Sequence, residues 1–266
     1  CEPKPGEPCP ARLAGPVAQI RPGTGKSSGA VDPSGRTMPV GDLPGWRQIF
    51  ADNFATDVPL GSFPARVAHK WDAYPDGWRD TSKNGTYMPS KVISVRNGVM
   101  DLHLRTENGR RLVAAPTPKP ASRGQLYGRY AVRFKADPVA GYKVAWLLWP
   151  LSEQWSEGEI DFPEGNLNSR IWGFMHHRGD PLAKHSYRTK ATFASWHTAV
   201  IEWTPEHVKF ILDGTTVGTT TDRSTIPNKP MRWVLQTETV LDGTVPRATA
   251  TGHVLIDWVA MYSRVP

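Results

Sequence analysis

The stretch Gly158-Glu159-Ile160-Asp161-Phe162-Pro163-Glu164-Gly165 places three carboxylates within six residues, interleaved with apolar side chains. Side chains on a β-strand alternate faces with a period of two. Glu159 and Asp161 therefore share one face, and Ile160 and Phe162 turn to the other, toward a core. Simple parity puts Glu164 on the wrong face. One extra residue, a β-bulge between Asp161 and Glu164, restores it, and Pro163 is a residue that sheets tolerate at bulges and edges. With the bulge counted, the glutamates stand about four strand steps apart, roughly 13 Å at ~3.3 Å per residue. Side chains leaning together can close that to the ~5–5.5 Å of a retaining glycosidase, against ~6.5–9.5 Å for an inverting one. A helix fails the same test: the glutamates would lie roughly 140° apart and Pro163 would break it. A solvated acidic edge is the plain alternative, and the apolar spacers Ile160 and Phe162 argue against it.

Reading outward, short strands alternate with Gly, Pro and Asn punctuation, and little helix is expected. Asn97-Gly98 and Asp213-Gly214 each sit between apolar runs, the signal of a two-residue type I′ hairpin turn. This pattern argues for an all-β sandwich. No fixed-period repeat is present.

Several further segments fall in the order found in a known family. Gly45-Trp46-Arg47-Gln48-Ile49-Phe50-Ala51-Asp52-Asn53-Phe54 is similar to an opening strand of glycoside hydrolase family 16, and Tyr127-Gly128-Arg129-Tyr130 to its central strand. Ala145-Trp146-Leu147-Leu148 resembles the strand before the acids. Ser195-Trp196-His197-Thr198 with Glu202-Trp203-Thr204-Pro205 and Leu212-Asp213-Gly214, then Ile256-Asp257-Trp258-Val259, resembles the closing half. The acidic stretch resembles the bulged E-x-D-x-x-E of the laminarinase-like members, and the resemblance runs nearly unbroken from residue 45 to 266.

The resemblance implies a β-jelly roll of two curved antiparallel sheets with substrate in the concave face. It also implies roles. Glu159 is the expected nucleophile, Glu164 the acid/base, and Asp161 the residue that tunes Glu159; Glu164 is expected to stay protonated as the least solvated acid while Glu159 is ionised. Trp155 and Trp146 are the expected sugar platforms, His176 lies near the cleavage point, and Gln236 is placed to contact hydroxyls. Core positions suit Trp203 and Trp258. Many relatives bind a structural calcium, and Asp257 matches its carboxylate; pairing with a neighbouring strand is the alternative for that residue. No cofactor is required, and the adjacent His176 and His177 face opposite sides of a strand, which spoils them as joint metal ligands.

Two departures bear on specificity. Trp233-Val234-Leu235-Gln236-Thr237-Glu238 stands where the family usually has N-x-A-V-G-G, and the stretch after Met175 is charged and histidine-rich through Arg178, Asp180, Lys184 and His185. The expected activity is a secreted retaining endo-β-glycosidase acting on a polysaccharide, β-1,3-glucan or mixed-linkage β-glucan. A non-catalytic carbohydrate sensor and an envelope-remodelling transglycosylase are the competing readings.

Composition sets the remaining bounds. The chain has 266 residues and a net charge of +7. That charge is spread out, with no basic run interleaved with aromatics, so nucleic acid is not an expected partner. No run of ~18 apolar residues would span a membrane. The chain starts without methionine, which fits removal of a targeting segment, and export of a monomer is the expectation. Residues 1–44 hold nine of the 25 prolines and read as an extended linker or a segment draped over the catalytic domain at 45–266. Cys1 and Cys9 lie there. They allow either a disulfide in an oxidising compartment or a lipid anchor on Cys1.

Overall fold

The computed structural model describes residues 33–265; Cys1 and Cys9, and with them the disulfide and lipid-anchor expectations, lie outside the described residues. The strands are β1 (Trp46–Asp52), β2 (Trp71–Ala73), β3 (Gly85–Tyr87), β4 (Ile93–Arg96), β5 (Val99–Glu107), β6 (Arg110–Val113), β7 (Pro116–Pro118), β8 (Gly128–Ala136) and β9 (Tyr142–Pro150). They continue as β10 (Glu159–Asn166), β11 (Arg170–His176), β12 (Lys184–Thr192), β13 (His197–Trp203), β14 (Val208–Leu212), β15 (Thr215–Thr220), β16 (Met231–Thr239) and β17 (Thr251–Arg264).

Ten strands form one sheet along the path β15-β14-β13-β8-β17-β5-β6-β3, with β1 on β17 and β4 on β5. A second sheet runs β12-β11-β10-β9-β16, and β2 and β7 form a small ribbon. The architecture is the expected β-jelly roll. Aromatic pairs join the two layers. Phe134 of β8 meets Trp146 of β9 edge-on at 5.0 Å, Tyr130 meets Trp233 of β16 at 5.3 Å, and Phe162 of β10 meets Phe210 of β14 at 5.2 Å. Such contacts add to the roughly 1.5–3 kcal/mol that burying each large apolar side chain supplies.

That burial is what fixes register. Ile160 and Phe162 are both fully inside, and a one-residue slip of β10 would exchange them for the acids. Both hairpin turns form as expected, with positive φ at Asn97 and Gly98 and at Asp213 and Gly214. Gly218 on β15 serves close packing instead: a Cβ there would lie 2.1 Å from the Tyr187 ring of β12.

Residues 34–38 lie on the outer face of the ten-stranded sheet. The Trp258 indole donates to the Arg36 carbonyl at 2.9 Å, and Met38 packs on Ala131, Val200 and Trp258. Near the cleft, buried Asp80 fastens the loop Trp78–Asn84 to β16. Its carboxylate accepts from Ser82 Oγ, the Gly85 amide, and both the amide and hydroxyl of Thr239.

Candidate active site

The acids sit on β10, the middle strand of the smaller sheet. Asp161 pairs with Phe174 of β11 and Leu147 of β9, and Glu164 pairs with Trp172 and Ala145. Two residues separate the acids on β10, while a single residue, Gly173 or Trp146, separates their partners. That is the one-residue bulge the parity argument required, with Pro163 inside it. Glu159, Asp161 and Glu164 consequently line one cleft of about 620 Å³ on the face away from the core.

Gly158 turns the chain into this strand. Its φ of +92° follows the short 3₁₀ turn Trp155–Glu157, and a Cβ would lie 2.9 Å from the His176 carbonyl. The turn folds Trp155 back over the strand, so that its indole N–H donates to Glu159 Oε2 at 2.7 Å. Trp155 stays 37 % exposed. His176 lies beside it, ring centroids 5.6 Å apart. The Pro181 carbonyl lies 2.6 Å from His176 Nδ1 and can only accept, which places the ring proton there. Nε2 then faces Asp161 Oδ2 at 3.7 Å.

Burial dominates the electrostatics. It pushes the Asp161 carboxyl well above the usual range, and the charges of Glu159 and Glu164 push it the same way. Neither Asp161 oxygen meets a donor, so the proton it keeps is available to Glu159. Glu159 is itself raised by burial, against the opposing pull of His176, of the neighbouring Asp161 carboxyl and of the Trp155 hydrogen bond. Glu164 has a different neighbour: Lys143 Nζ of β9 lies 2.6 Å from its Oε1 and 3.5 Å from Glu238 Oε1 of β16. Burial pulls the Lys143 ammonium down, but Glu164 and Glu238 outweigh it and hold it above its ordinary value. The expectation that Glu164 is the least solvated acid is corrected, since Asp161 is the fully buried one. Burial acts on Asp161 and Glu159, whereas Glu164 is held by a cation.

Residues 80–260 match the family model for glycosyl hydrolases family 16. The chain belongs to that family. As a family 16 member it is a glycoside hydrolase, and solved structures share its fold at low identity. SCLam, a non-specific endo-β-1,3(4)-glucanase from family GH16, superposes with a TM-score of 0.68 at 19 % identity over 86 % of this chain and 95 % of its own. An endo-1,3-β-glucanase from Streptomyces sioyaensis gives 0.68 at 17 % identity over 86 % and 100 %. A structure from work on endo-acting O-glycanases that initiate mucin breakdown gives 0.65 at 20 % identity over 85 % and 94 %. No curated protein matches the sequence.

In this family 16 hydrolase, Trp155, His176 and Gln236 line the cleft together with the three acids. Trp146 does not. It alternates with Ala145 and Leu147, which form the cleft floor, and so points into the sandwich, fully buried against Phe134. Its expected role as a sugar platform is corrected to a core role. Trp203 and Trp258 are buried as expected. Asp257 is buried on β17, where pairing with β8 shifts register between Ile256 and Trp258. Its Oδ2 accepts the Ser34 amide at 3.2 Å, and Arg133 donates to the same serine's hydroxyl and carbonyl. Calcium asks for six to eight oxygen ligands, and at Asp257 one carboxylate oxygen is taken by the Ser34 amide. Among the described residues, ligand atoms converge to within 4.8 Å of one another at Glu159, Asp161 and His176.

Sequence reasoning missed Lys143 and Glu238, and also Tyr74, Trp78, Trp149, Glu153 and Arg232, which complete the cleft walls. Trp78 is 59 % exposed on the loop that Asp80 fastens. Arg232 pairs with Glu153, which also accepts the Trp149 indole N–H at 2.8 Å.

Two predictions arise here. The fold retains a proton on Asp161 that the unfolded chain releases near an ordinary carboxylate pKa of about 3.9, so this group makes stability decline as pH climbs above that range. An asparagine behaves as a permanently protonated aspartate. Asp161→Asn is expected to slow turnover yet raise the urea midpoint at pH 7, with no gain at pH 3; a lowered midpoint at pH 7 would contradict the burial argument. Lys143→Met, which removes the cation paired with buried Glu238 as well as with Glu164, is expected to lower the urea midpoint at pH 7, because an uncompensated carboxylate is left inside. An unchanged midpoint would contradict the pairing.

Proposed function

We propose that this hydrolase is a secreted, retaining endo-β-glycosidase acting on β-1,3-glucan or mixed-linkage β-glucan by double displacement. The carrying observation is the bulged strand, which turns Glu159 and Glu164 toward one cleft with Asp161 between them. Glu159, oriented by the Trp155 indole and by the Asp161 proton, attacks the anomeric carbon and forms a covalent glycosyl-enzyme. Glu164 protonates the leaving oxygen and then takes a proton from the incoming water. Glu164 takes the proton it needs from solvent, and Lys143, still charged, can transfer its pairing to Glu238 when the glycosidic oxygen enters. Trp155 and Trp78 offer exposed indole faces to pyranose C–H groups, and Gln236 and His176 offer polar contacts. A cleft of this volume, open across the sheet, suits internal cleavage of a chain.

Named activities of two of the structural neighbours, glucanases by description, support the β-glucan reading, which also fits the intact triad better than a sensor role does. Secretion fits the fold, and no helix among the described residues is long and apolar enough to cross a membrane. Digestion of laminarin and barley β-glucan, with product sizing and proton NMR of the first anomer released, tests the proposal. It predicts mid-length oligosaccharides appearing as the β-anomer. Release of monosaccharide alone, an α-anomer, or products longer than the substrate would overturn the endo, retaining or hydrolytic part respectively.

A further inference from the structure

Beyond the acids, the cleft face continues onto β11 and the edge strand β12, and its chemistry changes there. Register carries the rows across the sheet: Glu159 lies beside His176 and then Lys184, Asp161 beside Phe174 and Ser186, and Glu164 beside Trp172 and Arg188. Directly opposed residues of an antiparallel pair share a face. Lys184, Ser186, Arg188 and Lys190 are all exposed, alternating with half-buried His185, Tyr187 and Thr189. The Lys184 ammonium stands 4.7 Å over the Phe174 ring and the Arg188 guanidinium 5.4 Å over Trp172. Those two rings are themselves near-parallel, 7° apart in plane.

Neither β11 nor β12 contains an acidic residue, and among the described residues no carboxylate lies within ion-pair distance of Lys184, Arg188, Lys190 or Arg170. The opposite wall differs: there Lys143 and Arg232 are matched by Glu164, Glu238 and Glu153. Lysines on an edge strand discourage sheet-to-sheet aggregation. That need explains exposed charge along β12 but not the absence of anions across two strands, nor cations seated on aromatic rings in line with the catalytic acids.

We infer that the β11–β12 side of this sheet face, which meets the cleft at Lys184, binds a polyanionic glycan, Arg188 and Lys184 seated on the Trp172 and Phe174 rings and, with Lys190, taking its carboxylate or sulfate groups. This inference rests on the glycosidase reading of the cleft and narrows its substrate to an acidic polysaccharide or an acid-decorated β-glucan. An arginine fork is suited to either oxyanion.

The test separates binding from hydrolysis. Glu159→Gln protein is titrated with neutral curdlan oligosaccharides, carboxymethyl-curdlan, sulfated curdlan and polygalacturonate at 20 and 300 mM salt; the two curdlan derivatives distinguish carboxylate from sulfate, and polygalacturonate changes the backbone. At least one anionic probe is expected to bind about tenfold tighter than the neutral oligosaccharides at low salt, with that advantage collapsing at high salt as exposed charges are screened. Adding Arg188→Ser and Lys190→Ser is expected to remove the advantage at low salt as well. Equal affinity for neutral and anionic probes, or an advantage that survives the double substitution, overturns the inference. Failure of the wild-type protein to cut laminarin defeats the β-glucan proposal alone, because binding of the anionic probes is read without turnover.

Discussion

Glu159→Gln is expected to lower kcat on a β-glucan by a factor on the order of 10⁴ or more, with no loss of folded structure. The amide has the shape of the carboxylate but no nucleophilic electron pair to form the ester with the anomeric carbon. Its carbonyl oxygen can still accept the Trp155 indole N–H that now reaches Glu159 Oε2 at 2.7 Å, so the turn over the strand remains anchored. Burial already opposes a charge at this position, and the neutral amide removes that cost. The urea midpoint is therefore expected to stay level or rise. Substantial residual turnover, measured by reducing-end release, would remove Glu159 from the nucleophile's role.

The second large effect, Glu164→Gln, has a different signature because its residue serves both half-reactions. Loss of a general acid/base costs about 10²–10⁴-fold. On an aryl β-glycoside whose leaving group needs no proton, the first step survives, the glycosyl-enzyme accumulates, and the rate becomes limited by water attack. Added azide, a nucleophile that needs no base, is expected to restore turnover and to give a β-glycosyl azide. Glu159→Gln would not yield that β-configured product. The substitution also leaves Lys143 with Glu238, 3.5 Å away, as its remaining ion-pair partner. A Glu164→Gln variant equally slow on polysaccharide and on activated aryl glycoside, and deaf to azide, would place the acid elsewhere.

Much of this site could be read from period-two alternation alone. Ile160 and Phe162 named the core face of β10, and the misplaced parity of Glu164 demanded the bulge that the pairing with β9 and β11 shows. Trp146 illustrates where alternation needs a reference. Tyr142–Pro150 is apolar almost throughout and buried on both faces, so its tryptophans carry no label of direction. Lys143 supplies the label: a charged residue in such a strand must face the polar cleft, which assigns 143, 145 and 147 to the floor and 144, 146 and 148 to the core. The signal was present but outvoted by the expectation of an aromatic platform. Trp78 had no comparable signal, because it reaches the cleft from a loop anchored through Asp80 to a strand some 160 positions later. The charge balance at Glu164 was equally illegible, since it depends on Lys143 and Glu238 arriving from two other strands. The surroundings of Asp257 were illegible for the same kind of reason: the Ser34 amide reaches its carboxylate only in the folded chain.

The most direct test of the bulged-strand account is to trap the intermediate. A 2-deoxy-2-fluoro-laminaribiosyl fluoride slows both steps through its electron-withdrawing fluorine, while its good leaving group lets the first proceed, so a glycosyl-enzyme accumulates for proteolysis and peptide mass spectrometry. The account predicts one added disaccharide on the peptide containing Glu159, with fragmentation assigning it to that side chain. Label on Glu164 or Asp161, or continued cleavage by inversion with no adduct, would contradict it.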